Sequence, residues 1–87
     1  MVSKHTKIIN PMGMHMRPAQ LFVAAITPFK SNVTIKYGDK TIVAKSIMNL
    51  MAACMKQGSE IEVICEGPDE QECLDKAVAL IESGLGE

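Results

Sequence analysis

The sequence predicts an α+β fold, an open-faced sandwich in which three helices lie on one face of a four-stranded, mainly antiparallel sheet. Two periodicities alternate along the chain, one with every second residue apolar and one with apolar residues three or four apart, and together they give the order βαββαβα. Each predicted strand has one polar face, so all the helices are expected on the other face. Eighty-seven residues suffice for one domain, which we assign to residues 1–87.

The chain begins with a predicted strand and a predicted helix. Residues 2–9 have the mixed polarity of a strand, and Asn10-Pro11 ends it. The helix begins at about residue 16 and is closed by Pro28. Its apolar residues recur at helical spacing: Leu21, Phe22, Ala25 and Ile26.

A hairpin and a short helix follow. Apolar and polar residues alternate over residues 32–37, and Gly38-Asp39 then leads into a second strand over residues 40–44. Ser46 belongs to the residue types that cap helix N-termini. The helix after it stops by Gly58 and has an apolar stripe made of Ile47, Leu50 and Cys54.

The last third of the chain predicts one more strand and one more helix. Residues 60–66 alternate between apolar and acidic side chains, which indicates a strand with one solvated face. Gly67-Pro68 turns the chain, and Asp69 and Glu72 have the spacing of a capping box. The final helix runs toward Gly84 on an apolar stripe made of Leu74, Ala77, Val78 and Ile81.

Composition indicates a cytoplasmic protein. Hydrophobic residues make up 47% of the chain and charged residues 22%, close to an ordinary globular domain. The longest apolar runs are short, such as residues 21–26, so no transmembrane span or membrane insertion is expected. The N-terminus also lacks the apolar segment of a signal peptide.

The cysteines point to burial rather than to chemistry. Cys54, Cys65 and Cys73 are odd in number and have no C-x-x-C spacing, which argues against a disulfide framework and against a zinc site. Cys65 falls on the same side of its predicted strand as Ile61 and Val63, so we interpret it as a small buried hydrophobe. No metal or other cofactor is expected.

The charges are unevenly distributed. Residues 1–58 carry eight basic groups and one acidic group, a net of +7, whereas residues 59–87 carry one basic and nine acidic groups, a net of −8. One interpretation is that these charges pair across the sheet and between helices. Another is that the basic part is steered toward acidic protein partners. Nucleic acid is the weaker partner class, because the basic residues are dispersed and only three residues are aromatic: Phe22, Phe29 and Tyr37.

The most informative segment is residues 13–19, where a histidine and an arginine lie where a loop becomes a helix. Gly13 permits a bend, and Pro18 is tolerated only in a helix's first turn, so His15 is expected beside a helix N-terminus. Backbone donors and the positive end of the helix dipole meet there, which favours a neutral ring and a bound anion. Arg17 can bind phosphate oxygens through two nitrogens. The pattern alone is equally typical of a surface histidine in a helix cap beside a solvated arginine. The other histidine, His5, lies on a solvated strand face and is given no role.

Six methionines after Met1 form two clusters, one around His15 and one in the second helix. Gap-filling in the core is one interpretation, and an exposed apolar surface that adapts to several partners is the other. The two clusters would form one surface if the two helix N-termini were close. The candidate docking residues are Met14, Met16, Ile47, Met48, Met51 and Met55.

Four motifs occur together: Gly-Met-His-Met-Arg-Pro-Ala at 13–19, Ala-Lys-Ser-Ile-Met at 44–48, Gln-Gly at 57–58 and Glu-Gly at 66–67. In this combination, and in length and element order, the chain resembles HPr, the histidine-containing phosphocarrier family of the bacterial phosphoenolpyruvate-dependent sugar phosphotransferase system. The resemblance implies that enzyme I phosphorylates His15 on its pros ring nitrogen, that Arg17 stabilises the phosphate, and that enzyme IIA domains receive the phosphoryl group. It implies a carrier, not an enzyme, and we expect a monomer.

The resemblance also assigns a regulatory position. Ser46 matches the residue that an ATP-dependent kinase, HPr kinase/phosphorylase, phosphorylates in many Gram-positive relatives, where a catabolite-control transcription factor is a further partner. The alternative function is therefore a regulatory binding module that acts through phosphorylated Ser46, although regulatory paralogues of the family lack the histidine. Met12, Met16 and Cys54 depart from the family's commoner residues, which leaves partner preference open.

Overall fold

The computed structural model describes residues 1–86 and confirms the predicted order of elements; Glu87, one of the nine acidic groups counted above, lies outside the described residues. The strands are β1 (Val2–Lys7), β2 (Asn32–Tyr37), β3 (Lys40–Val43) and β4 (Glu60–Glu66). The helices are α1 (Met16–Ile26), α2 (Ile47–Ala52) and α3 (Glu70–Glu82). No described helix combines the length and the apolar character needed to cross a membrane.

The four strands form one sheet in the order β1-β4-β2-β3, and every neighbouring pair is antiparallel. The last strand of the chain is therefore central, with Cys65 paired to Val2 on one side and to Val33 on the other. The edges are β1 and β3. Antiparallel pairing agrees with the prediction, while the spatial order is new information from the structure.

The core lies between the inner face of this sheet and the three helices. Phe22 of α1 is the largest fully buried side chain, and Leu50 of α2 and Ile81 of α3 are also fully buried. Fully burying an apolar side chain of this size contributes about 1.5–3 kcal/mol. The sheet supplies its inward residues at every second position: Val33, Ile35, Ile42, Ile61, Val63 and Cys65. The predicted burial of Cys65 is thus confirmed.

The outer face of the sheet carries charges in register. Lys7 lies opposite Glu60, and Glu62 lies between His5 and Lys36. The His5 Nε2 and Glu62 Oε2 atoms are 3.8 Å apart, and His5 is exposed as predicted. Opposite charges on neighbouring strands contribute about 0.2–1 kcal/mol per pair. Part of the charge asymmetry along the sequence is therefore balanced across the sheet.

The predicted apolar stripe of α2 is wrong at its last residue. Helix α2 ends at Ala52, and Cys54 is exposed with a φ of +58°. The Cys54 N–H donates to the carbonyl of Met51 at 3.2 Å, which reverses the chain just after the helix. This left-handed position after a helix is usually glycine. The stripe stops because the helix has only six residues.

The predicted capping box at the start of α3 is also wrong. Asp69 is the N-cap residue, but its carboxylate accepts hydrogen bonds from the Ser31 hydroxyl and from the N–H groups of Lys30 and Ser31. The N–H of Gly67 donates to Glu70 Oε1 at 3.2 Å instead. A Cβ on Gly67 would lie 2.6 Å from the Cα of Ser31, so the close approach of these two turns draws Asp69 to Ser31.

Candidate functional site

His15 is the N-cap residue of α1, as the sequence predicts. Its backbone is extended, with φ −93° and ψ −169°, and its carbonyl accepts the N–H of Ala19 at 2.9 Å. The residue is half-buried. The N–H groups of Met16 and Arg17 fall in the first turn, where a helix has no carbonyl of its own to offer them. The positive end of the helix therefore lies next to His15.

The loop before His15 is packed against the segment that follows α2. The Met14 N–H donates to the carbonyl of Met55 at 2.8 Å. Gly13 has a φ of +69°, and a Cβ there would lie 2.6 Å from the Cα of Lys56 and collide with the Met55 carbonyl. Only glycine fits both the conformation and the space. Thus the His15 loop meets the C-terminal end of α2, not its N-terminus.

Asn10 contributes to this loop in a way that the sequence did not reveal. Its side chain is 2% exposed, and its Nδ2 donates to the Gly13 carbonyl at 2.6 Å. Its own carbonyl accepts the N–H of Gly13 at 3.0 Å. The sequence identified Asn10 only as the end of a strand. A polar residue followed by proline is typical of turns, but nothing in that pattern predicts burial of the amide.

Arg17 and Pro18 are the second and third residues of α1, which confirms that the proline lies in the first turn. Pro18 is buried, and Arg17 is exposed. An exposed guanidinium in the first turn is available to an anion at the helix terminus.

Ser46 caps α2, which confirms the prediction from the sequence. Its Oγ accepts the N–H of Asn49 at 3.2 Å, and the residue is half-buried. Because α2 rises about 1.5 Å per residue, its six residues place Ser46 about 9 Å along the axis from the end that meets the His15 loop. Ser46 therefore lies at the opposite end of α2 from the segment that packs against the His15 loop.

The structure divides the predicted docking residues. Met16 and Met48 are 52% and 78% exposed, and Ile47 and Met51 are half-buried. Met14 and Met55 are each only 3% exposed, so the prediction that they belong to an exposed docking surface is wrong.

The reason for this correction is the end of α2 at Ala52. The three-and-four spacing that placed Met55 beside Met48 and Met51 does not apply beyond it. A backbone hydrogen bond joins Met14 to Met55, and both side chains belong to the hydrophobic core. Met12, in the same sequence cluster, is 70% exposed. We call Met12, Met16, Ile47, Met48 and Met51 the methionine surface.

The buried thiols are chemically quiet. Burial raises the pKa of Cys65 to about 12, with a further contribution from Cys73, and burial likewise raises the pKa of Cys73. A thiol with a raised pKa has little of the reactive thiolate at neutral pH. Among residues 1–86, no three His, Cys, Asp or Glu side chains converge where they could hold a metal ion.

The chain matches known proteins over nearly its whole length. A family model described as the PTS HPr component phosphorylation site matches residues 2–83. The phosphocarrier protein HPr of Lysinibacillus sphaericus is 36% identical, with both chains fully covered. The HPr-like protein Crh of Halalkalibacterium halodurans is 42% identical over 94% of this chain and 98% of the relative.

Solved structures agree with the sequence relatives. The crystal structure of HPr from Thermoanaerobacter tengcongensis superposes with a TM-score of 0.95 at 39% identity, and covers 100% of this chain and 98% of that one. It supports the open-faced arrangement described above. A nucleophilic ring at a helix terminus, with an arginine in the first turn, is suited to carry a phosphoryl group. The chain belongs to the HPr family of phosphocarrier proteins, which are carriers rather than catalysts.

Proposed function

We propose that this protein is the phosphoryl carrier of a phosphoenolpyruvate-dependent sugar phosphotransferase system. His15 accepts the phosphoryl group from enzyme I and passes it to enzyme IIA domains in the cytoplasm. The observation that carries the proposal is the position of His15, at the N-terminus of α1 on a loop fixed by Gly13 and by the Met14–Met55 hydrogen bond.

The proposed chemistry uses few groups. The pros nitrogen of His15 forms a bond to phosphorus while the bond between phosphorus and the donor breaks, and the reverse exchange delivers the group to the acceptor. In this proposal the phosphoryl oxygens are bound by groups in the first turn of α1: the N–H groups of Met16 and Arg17 and the guanidinium of Arg17. Phosphoryl transfer depends mainly on positioning and charge stabilisation, which these groups provide.

Modest stabilisation suits a carrier. The helix dipole contributes only about 0.3–1 kcal/mol to an exposed negative charge at the helix N-terminus. A site that bound the phosphoryl group much more tightly would hold the group and slow its release. The half-exposed position of His15 lets donor and acceptor approach the ring from solvent.

The methionine surface is the proposed docking area for enzyme I and enzyme IIA. Met16 begins the helix that His15 caps, and Met48 and Met51 lie on α2, which packs beside α1. Flexible thioether side chains adapt to different partner surfaces. The basic residues of the first 58 positions would attract acidic partners.

The experiment is phosphorylation by enzyme I and radiolabelled phosphoenolpyruvate, using His15→Ala and, as a matched control, His5→Ala. The unaltered protein and His5→Ala are expected to form an acid-labile adduct, because His5 lies on the outer face of the sheet. His15→Ala is expected to form none. A label that persists in His15→Ala, or that never appears in the unaltered protein, contradicts the proposal.

Regulation through Ser46 is a second candidate function, favoured by the 42% identity to an HPr-like protein Crh. Crh of Bacillus subtilis, whose structure is solved, is a catabolite repression HPr. A phosphate on Ser46 would add about −1.5 to −2 charges at the N-terminus of α2, beside the methionine surface, and would repel acidic partners.

The test for this second function uses HPr kinase/phosphorylase with ATP and Ser46→Ala as the control. Label on Ser46 and a phosphoserine-dependent complex with a catabolite-control transcription factor are expected if regulation operates. A complex that is unaffected by His15→Ala, in a protein that enzyme I does not phosphorylate, would identify a regulatory module rather than a carrier.

A further inference from the structure

We propose that Asn10 positions His15 for phosphoryl transfer, by holding the peptide group between Gly13 and Met14 through its side-chain amide. The inference rests on the proposed phosphocarrier function. It adds a positioning residue that lies outside the motif at 13–19.

The peptide group between Gly13 and Met14 is bound at both ends. Its carbonyl accepts the Asn10 Nδ2 at 2.6 Å, and its N–H donates to the Met55 carbonyl at 2.8 Å. The same carbonyl also accepts the N–H of His15 at 3.1 Å. Rotation of this peptide group would therefore break several hydrogen bonds at once, and it would move the backbone from which the His15 ring projects.

The side chain of Asn10 is suited to this position because it both closes the turn and is removed from water. Its carbonyl accepts the Gly13 N–H at 3.0 Å, so the main chain and side chain of one residue bind both polar groups of Gly13. The side chain is 2% exposed, so water does not compete for the amide. Residues 10–13 have asparagine at the first position, proline at the second and glycine at the fourth, which is a composition favoured by type I turns.

Donation by the amide nitrogen is the specific feature. Aspartate has nearly the same shape as asparagine, but when ionised it only accepts hydrogen bonds. It would place a carboxylate against the Gly13 carbonyl where Asn10 donates. Asn10 touches neither the donor nor the phosphoryl group in this proposal, and it acts through the Gly13–Met14 peptide. A reacting group displaced by about 1 Å can lose about a hundredfold in rate.

The first measurement is the rate of phosphorylation by enzyme I and phosphoenolpyruvate over a range of carrier concentrations. We expect Asn10→Ala and Asn10→Asp to lower kcat about 10- to 100-fold, with KM within about twofold, because most of the methionine surface lies outside the turn that Asn10 closes. The control is Ser31→Ala, which removes the hydrogen bond from the buried Ser31 hydroxyl to Asp69. This variant should leave kcat unchanged. If Asn10→Ala does not fold, Asn10→Ser replaces it.

The second measurement is amide hydrogen exchange at Met14 and His15, which requires no partner. Exchange should accelerate at least about tenfold in the Asn10 variants and stay unchanged in Ser31→Ala. Unchanged kcat in folded Asn10→Ala overturns the proposal, and so does a kcat loss with unchanged exchange. If enzyme I does not phosphorylate the unaltered protein, the carrier function fails and Asn10 has no transfer role. The exchange data then decide separately whether Asn10 holds the loop.

Discussion

Arg17 is the charged residue from which we expect the largest effect on transfer. It lies in the first turn of α1 and its side chain is exposed, so Arg17→Ala should leave the fold intact. A hydrogen bond to a charged group is worth about 1.5–3 kcal/mol, which corresponds to a rate loss of about tenfold or more. The steady-state rate of phosphorylation by enzyme I measures this loss.

The matched control for Arg17 is Lys30→Ala, which removes one exposed positive charge from the turn after α1. Transfer by this variant should stay within about twofold of the unaltered protein. Equal rates for Arg17→Ala and the unaltered protein would remove Arg17 from the mechanism.

The backbone at Cys54 has a conformation that glycine adopts at lower energy. Its φ of +58° lies in the left-handed region, which costs a residue with a Cβ about 1–2 kcal/mol. Glycine avoids this cost. It also lowers the free energy of unfolding by about 0.4–1 kcal/mol, because it increases the conformational entropy of the unfolded chain. We therefore expect Cys54→Gly to raise the free energy of unfolding by up to about 1 kcal/mol, measured by urea denaturation.

Ala52→Gly is the control for this substitution, two residues earlier and inside α2. The residue is exposed and helical, so glycine should lower the free energy of unfolding by about 1 kcal/mol. Opposite signs for the two substitutions are the expected result. Destabilisation by both would show that the conformation at Cys54 carries no strain.

Two methionines show where single-residue prediction from sequence fails. The spacing of Met48, Met51 and Met55 predicts one helical face only while the helix continues, and α2 ends before Met55. Met14 is buried where its backbone N–H bonds to the carbonyl of Met55, 41 positions away along the chain, and local spacing does not predict such a contact. The positions of His15 and Arg17 at the start of α1 were predicted correctly, because a nearby glycine and proline determine where the helix begins.

Among the elements, α3 is attached to the turn between α1 and β2 through Asp69. The Ser31 hydroxyl and the N–H of Lys30 hold the pKa of Asp69 below its ordinary value of 3.8. The unfolded chain therefore binds the proton more tightly, so this contribution to stability is complete above about pH 4 and is lost as the pH falls further. Urea midpoints between about pH 6 and pH 2.5 should decrease toward acid.

Asp69→Asn tests this attachment. It should lower the urea midpoint at neutral pH and make its dependence on acid shallower, because the group that gains the proton is gone. Some dependence remains, since the hydrogen bond from the N-terminal ammonium group lowers the pKa of Glu70. Asp75→Asn, on the same helix, is the control. If the urea midpoint of Asp69→Asn decreased toward acid as steeply as that of the unaltered protein, this assignment would be contradicted.

The elements differ in how far the sequence alone could predict them. The bounds of α1 and the hairpin of β2 and β3 depend on neighbouring residues, so spacing and turn residues were sufficient. The strand order depends on contacts distant in the chain, as the pairing of β1 with β4 shows. The hydrogen bonds of Asp69 could not be predicted from the sequence for the same reason, because its partner Ser31 is 38 residues away.

For the whole molecule, we predict a monomer of 9.5 kDa. Both edges of the sheet carry lysines, Lys4 and Lys7 on β1 and Lys40 on β3, and charged edges resist pairing with a second sheet. Relatives include a domain-swapped Crh dimer from Bacillus subtilis and an HPr dimer from Thermoanaerobacter tengcongensis. Light scattering after size exclusion at about 100 μM measures the mass, and a doubled value contradicts the prediction.

The charge pattern of the whole chain has two parts. On the outer face of the sheet, basic and acidic residues lie opposite one another, such as Lys7 and Glu60. The helices are not balanced in this way: α1 carries only Arg17, α2 carries no charge, and α3 is predominantly acidic. Pairing at the sheet is therefore observed, whereas attraction of acidic partners to the side of α1 and α2 stays a prediction.

The contrast among the three cysteines makes the molecule easy to label. Cys65 and Cys73 are buried, and their raised pKa values keep them unreactive, whereas Cys54 is exposed. Cys54 immediately precedes Met55, whose carbonyl binds the His15 loop. A maleimide fluorophore would therefore attach at one place without any substitution. Its emission would report on any partner that binds beside the proposed phosphoryl site.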